Sequence, residues 1–160
     1  MNLTKNFTLE EFCKSDIALK NGLNNTITDS GLMEAAMRTC VMMENVRTAL
    51  SLQAGKDIPI TVLSGYRTVL LNRLVQGATL VSDHSKGAAM DWVAPLFGDT
   101  TAIARLLVPK MSVLGIGQLI LEHPGTHNSW IHCSTITPMS ATNRVLTCTD
   151  TGYRPGIWEA

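Results

Sequence analysis

A chain of 160 residues, 45% hydrophobic and 16% charged, fits one domain over residues 1–160 with enough apolar material for a real core. Thirteen basic residues balance thirteen acidic ones without any Lys/Arg block, which argues against nucleic-acid and anionic-membrane partners. No run approaches the roughly 18 apolar residues of a membrane span, and Met1–Phe7 lacks the apolar core of a signal peptide. A monomer with no stable membrane association is expected, made in the cytoplasm and not exported by the usual route.

Thr8-Leu9-Glu10-Glu11 has the form of a capping box and predicts a short helix through Phe12. Asn21–Asn25 reads as a turn or loop. From Ser30 to Leu50 a long helix is predicted. Leu32, Ala35, Ala36, Thr39, Met42, Met43, Val46 and Leu50 fall mostly at three- and four-residue spacings and give it an apolar stripe. After a turn at Gly55-Lys56-Asp57, residues 58–63 form a β-rich run that ends at Ser64-Gly65-Tyr66-Arg67. A second helix is predicted over Val69–Val75 and a strand over Ala88–Val93. Asp99 can cap a helix through about Lys110. Gly117–Glu122 and Ser129–Thr135 read as two strands joined by a loop containing Pro124-Gly125. The tail, with Tyr153 and Trp158, carries no clear pattern. Helices early and strands late predict an α+β fold, with N-terminal helices packed on a small, mainly antiparallel sheet.

The chemistry concentrates in residues 82–91, Ser-Asp-His-Ser-Lys-Gly-Ala-Ala-Met-Asp. His84 and Asp91 flank Gly87, which allows the tight backbone path that could bring them to one point. Asp91 sits among Ala88, Ala89, Met90 and Trp92, where an ionised carboxylate is costly unless a cation or strong donors compensate it. About forty residues on, Trp130-Ile131-His132 offers another nitrogen on a predicted strand. Two His and one carboxylate, with no fourth protein ligand obvious, is the pattern of a catalytic Zn2+ that keeps a position open for water. Cys13, Cys40, Cys133 and Cys148 form no CxxC pair and read as reduced thiols. Strand alternation points Cys133 away from the face of His132.

Several segments resemble the M15 family of zinc peptidases, the group of D-Ala-D-Ala carboxypeptidases, dipeptidases and phage L-alanyl-D-glutamate endopeptidases. They are Asn6–Phe12, Ser64-Gly65-Tyr66-Arg67, Ser82-x-His84-x-x-Gly87-x-Ala89-x-Asp91, and Gln118-Leu119-Ile120-x-Glu122 followed by Trp130-Ile131-His132-x-Ser134. The resemblance implies zinc on His84, Asp91 and His132, with Arg67 and Ser82 at the substrate's carboxylate or carbonyl. It also implies a peptidoglycan stem peptide as substrate, and the last motif resembles the branch common in phage-encoded proteins. One departure stands out. Many members carry a Glu three residues before the last metal histidine, and here that position is Ser129. If the loop between the last two strands centres near Thr126, Glu122 lies across from Trp130 and shares a face with His132. Glu122 is then the candidate general base, unless a one-residue slip turns it to solvent. His123 and His127 are further candidates.

The leading reading is a zinc peptidoglycan peptidase, an endopeptidase of the phage endolysin type that waits in the host cytoplasm for release to the cell wall. A D-Ala-D-Ala carboxypeptidase or dipeptidase is one alternative. A metal-stabilised virion or binding protein without catalysis, suggested by Ser129, is the other.

Overall fold

Short polar side chains set where the helices begin. Thr8 accepts the Glu11 N–H at the head of α1 (Leu9–Phe12), Ser15 caps α2 (Asp16–Lys20), and Asp29 caps the long α3 (Ser30–Ala54). The computed structural model describes residues 1–159. α3 runs past the expected stop at Leu50 and ends where Gly55 turns left-handed, at φ 65°. Its predicted stripe is buried from Ala36 through Thr39, Met42, Met43 and Val46 to Leu50.

The first strand begins later than its composition suggests. Pro59 has no N–H to give a ladder, so β1 spans Thr61–Ser64 and forms one edge of the sheet. α4 (Val69–Leu74) and β2 (Ala89–Val93) follow. Asp99 caps α5 (Thr100–Leu107) as expected, but Pro109 divides the remainder into a 3-10 turn over Val108–Lys110 and α6 (Met111–Leu114). β3 (Gln118–Glu122) and β4 (Trp130–Ser134) form the anticipated pair. The tail holds a hairpin that its sequence did not announce, β5 (Val145–Thr149) with β6 (Gly152–Pro155).

The strands form one sheet in the order β1-β2-β4-β3-β5-β6, antiparallel except where β5 runs parallel to β3. This is an α+β fold. Side chains alternate between its two faces. Met90, Trp92, Leu119, Leu121, Ile131 and Cys133 join Met43 and Val46 of α3 and Ile103 and Leu107 of α5 in the core. Fully burying each such side chain is worth roughly 1.5–3 kcal/mol. The other face carries Asp91, His132, Ile120 and Leu146 in one row across the strands. Beside it runs a second row of Trp130, Glu122, Cys148 and Tyr153. Among the described residues, no helix is long and apolar enough to cross a membrane.

Candidate metal centre

The loop after β1 is held from three sides. Gly65 lies so close to α1 that an added Cβ would sit 2.3 Å from the Phe12 carbonyl oxygen. Tyr66 N–H donates to that same oxygen at 2.8 Å. Buried Asn25 donates to the Cys13 and Tyr66 carbonyls and accepts the Thr68 N–H. The Gly65 carbonyl is thereby fixed, and it accepts the His84 Nδ1–H at 2.7 Å. That bond selects the tautomer whose Nε2 carries a lone pair, approached at 3.3 Å by both Arg67 Nη2 and His132 Nδ1.

His84 rides on a 3-10 turn, Asp83–Lys86, capped by the Ser82 hydroxyl, which accepts the His84 N–H at 3.3 Å. Gly87 closes the turn at φ 67°, tight against α3, where Thr39 donates its hydroxyl to the Gly87 carbonyl. A hydrogen bond from the Ser134 hydroxyl to Asp83 ties the turn to the end of β4. Asp91 and His132 are register partners on β2 and β4. The turn and the two strands therefore deliver three ligand atoms to one place.

His84 Nε2, Asp91 Oδ1 and His132 Nδ1 all lie within 4.8 Å of one another. Asp91 Oδ1 is 2.8 Å from His132 Nδ1 and 3.2 Å from His84 Nε2, and the two nitrogens are 3.3 Å apart. The two imidazole nitrogens share at most one proton between them, and Arg67 Nη2 also lies 3.3 Å from His84 Nε2. With both rings neutral they make a good ligand set, and two nitrogens plus one oxygen suit zinc. The residues fit the metal.

Charge around the centre is compensated. Burial alone would raise the Asp91 carboxyl, but His84 and His132 hold it far below the ordinary carboxylate range. Burial lowers His84 against the pull of Asp91, which favours the neutral imidazole a metal requires. Arg67 donates from Nη2 to Asp91 Oδ2 at 2.6 Å and from Nε to the Ser64 hydroxyl at 2.9 Å. Arg67 was expected at the substrate. In the structure it secures Asp91, and it also lines a cavity of about 350 Å3 with Glu11, Lys14 and Ser64. Ser82, also expected at the substrate, accepts a backbone hydrogen bond as the cap just described.

Glu122 is paired in register with Trp130, on the face of Asp91 and His132. Burial raises its carboxyl above the ordinary value, and the Asp91 charge raises it further. Ser129 turns to the helical side, where its hydroxyl meets Thr100 and donates to the Glu122 backbone carbonyl. A carboxylate at position 129 would face α5 and not the metal ligands. His123, at a positive φ of 47°, lies tilted against Trp130 and approaches Asp150, and His127 is exposed. Cys133 is buried on the helical face, with its thiol pushed up to about 12 by burial. The sequence reading missed Asn25, Asp83 and Ser134 as supports. Only the proximity of Asp83 to His84 in the motif could have pointed to one of them.

A His-Asp-His donor set on the sheet face opposite the helical core is one that could hold a metal, and comparison with known families supports a metallopeptidase. The family model described as Peptidase M15 matches residues 5–134, from ahead of α1 to the end of β4. The chain belongs to peptidase family M15, whose members are generally zinc-dependent. No curated protein matches it.

Proposed function

We propose that this protein is a zinc-dependent peptidase that hydrolyses a bond next to a D-residue in the stem peptides of bacterial cell walls, as an endopeptidase of the phage endolysin type. The observation that carries the reading is the convergence of His84 Nε2, Asp91 Oδ1 and His132 Nδ1 on the same sheet face as Glu122. Held by His84, Asp91 and His132, a zinc ion would polarise a scissile carbonyl and acidify a bound water. Glu122 takes the proton of the attacking water and returns it to the leaving amine, and its raised carboxyl brings it nearer to neutral pH, where such a base works best. The Gly65 carbonyl keeps His84 in its ligating tautomer, and Arg67 keeps Asp91 ionised and oriented. From the edge of its cavity Arg67 also presents positive charge to a substrate carboxylate.

The test is digestion of purified peptidoglycan with product analysis by mass spectrometry. Internal stem-peptide cleavage that chelator abolishes and zinc restores is expected. Release of terminal D-alanine alone would move the assignment to a carboxypeptidase, and no products from the zinc-loaded protein would leave a binding role. Glu122→Gln should lower turnover about 10²- to 10⁴-fold at unchanged zinc content.

A further inference from the structure

The family match ends at residue 134, so the β5–β6 hairpin lies beyond it, yet this hairpin extends the functional face of the sheet. Glu122 is the register partner of Cys148 on β5, and Cys148 is the partner of Tyr153 on β6. Glu122 and Cys148 are 8% and 9% exposed. A carboxylate oxygen of one and the sulfur of the other lie within 4.8 Å.

A buried carboxylate needs donors. The nearby Ser129 hydroxyl does not supply one, because its proton goes to the Glu122 backbone carbonyl at 2.9 Å. The thiol of Cys148 is the group at hand: it lies 3.9 Å from the Thr149 carbonyl, which it must leave to donate to the carboxylate within 4.8 Å. A thiol is a weak donor, and it serves as one only while protonated. Burial and the adjoining carboxylate push it up to about 11, so at neutral pH it is S–H and not thiolate. Tyr153 closes the row. Burial raises its phenol, as do the charge of Glu122 and the neighbouring thiol, so its hydroxyl keeps its proton as well. The wall beside Glu122 is therefore made of uncharged donors.

We infer that Cys148, backed by Tyr153, is a positioning residue for Glu122: its S–H donates to the carboxylate and holds it on the side of the sheet where His132 stands. The inference rests on the proposed role of Glu122 as proton carrier. It assigns the hairpin a part in catalysis that the family-matched residues do not contain. His123 is the third member of the same cluster. Its ring lies tilted against Trp130, with Nδ1 3.5 Å from Asp150, and one of its nitrogens is within 4.8 Å of the thiol and the carboxylate, so the test includes a metal outcome.

The experiment uses the zinc-loaded full chain on soluble peptidoglycan fragments. Cys148→Val, close to the thiol in volume, and Cys148→Ser, which keeps a donor, are each made in the parent and in Glu122→Gln. Cys148→Val should lower kcat about 2- to 10-fold, the worth of one hydrogen bond, with KM and zinc content unchanged. Cys148→Ser should recover most of that loss. In the Glu122→Gln background, Cys148→Val should add nothing, because the group it positions is gone. Tyr153→Phe, at an exposed position that keeps the ring, should lower kcat about 2-fold with the same dependence on Glu122. An unchanged kcat in Cys148→Val, or an equal drop in the Glu122→Gln background, overturns the inference. So does a second zinc per chain that Cys148→Ser releases, since the cluster would then be a metal site. A Glu122→Gln protein with parental turnover fails the base reading itself. A severe Glu122→Gln defect beside a silent Cys148→Val fails the positioning role alone.

Discussion

Replacing Asp91 with alanine separates what the carboxylate does for the fold from what it does for the metal. In metal-free protein its Oδ2 receives Arg67 Nη2 at 2.6 Å and its Oδ1 faces His132 Nδ1 at 2.8 Å. The Arg67 and Asp91 side chains are 11% and 12% exposed. Asp91→Ala strands a nearly buried guanidinium without its counter-charge, a change that costs about 3–5 kcal/mol. Arg67→Met added to Asp91→Ala removes the stranded charge, so the double variant should lose less than the two single losses combined. The sign of the pH dependence follows from the direction of the shift. The folded carboxyl lies below the ordinary unfolded value of about 3.9. Its contribution is therefore complete above about pH 5 and is lost as pH falls, so the gap between parent and variant should narrow below about pH 4. Zinc at about 100 times its Kd should widen the gap at pH 7 by about 2.7 kcal/mol, because only the parent binds it tightly. Urea unfolding with chelator or with zinc measures all three quantities. A metal-free gap below about 1 kcal/mol, the level of an exposed ion pair, refutes the first argument. Equal gaps with and without zinc refute the ligand role.

Metal analysis of the parent should give about one zinc per chain, and His84→Ala or His132→Ala should remove it. Stoichiometric metal in the double His84→Ala, His132→Ala protein would contradict the site. Gly65→Ala drives a Cβ into the Phe12 carbonyl and ring, at 2.3 and 2.6 Å. The strain should cost about 1–3 kcal/mol in denaturant unfolding. Because Gly65 also supports His84, zinc affinity by competitive chelation should fall about 10- to 100-fold. Ser129→Ala loses one brace of the β3–β4 connection and should lower stability by about 1 kcal/mol while leaving turnover within a few-fold of the parent.

The parts of this molecule legible in its sequence are those written in local periodicity. The stripe of α3, the Asp99 cap and the β3–β4 pair all follow from spacing within short windows. Register was legible too: a loop centred near Thr126 places Glu122 opposite Trp130, and that is the observed pairing. The burden of a carboxylate among Ala89, Met90 and Trp92 pointed to compensation for Asp91 before any partner was known. That part of the compensation is Arg67 was not legible, because it depends on tertiary placement of a loop 24 residues away. Asn25, which binds three backbone groups of distant segments, escaped for the same reason. The β5–β6 hairpin escaped for a local one. Its strands are short, and the second, Gly-Tyr-Arg-Pro, ends in Pro155, so neither alternation nor hydrophobicity stands out. Pro59 and Pro109 displaced element ends by removing donors, an effect visible in the sequence once the ladder that needs the donor is known.

Because one face of the sheet is packed and the other is chemical, adjacent codons answer to different selective demands. Along β2, Met90 and Trp92 are fully buried against the helices while Asp91 between them faces the ligands. Along β4, Ile131 and Cys133 alternate with His132 in the same way. A saturation scan read by protein abundance should register heavy penalties at 90, 92, 131 and 133, and at 91 as well, where losing the carboxylate strands Arg67. Read by zinc retention, the peaks should step by one residue to 91 and 132. The two maps would interleave except at 91, where both register a loss, and a variant library filtered only for expression would keep members at 132 that hold no zinc.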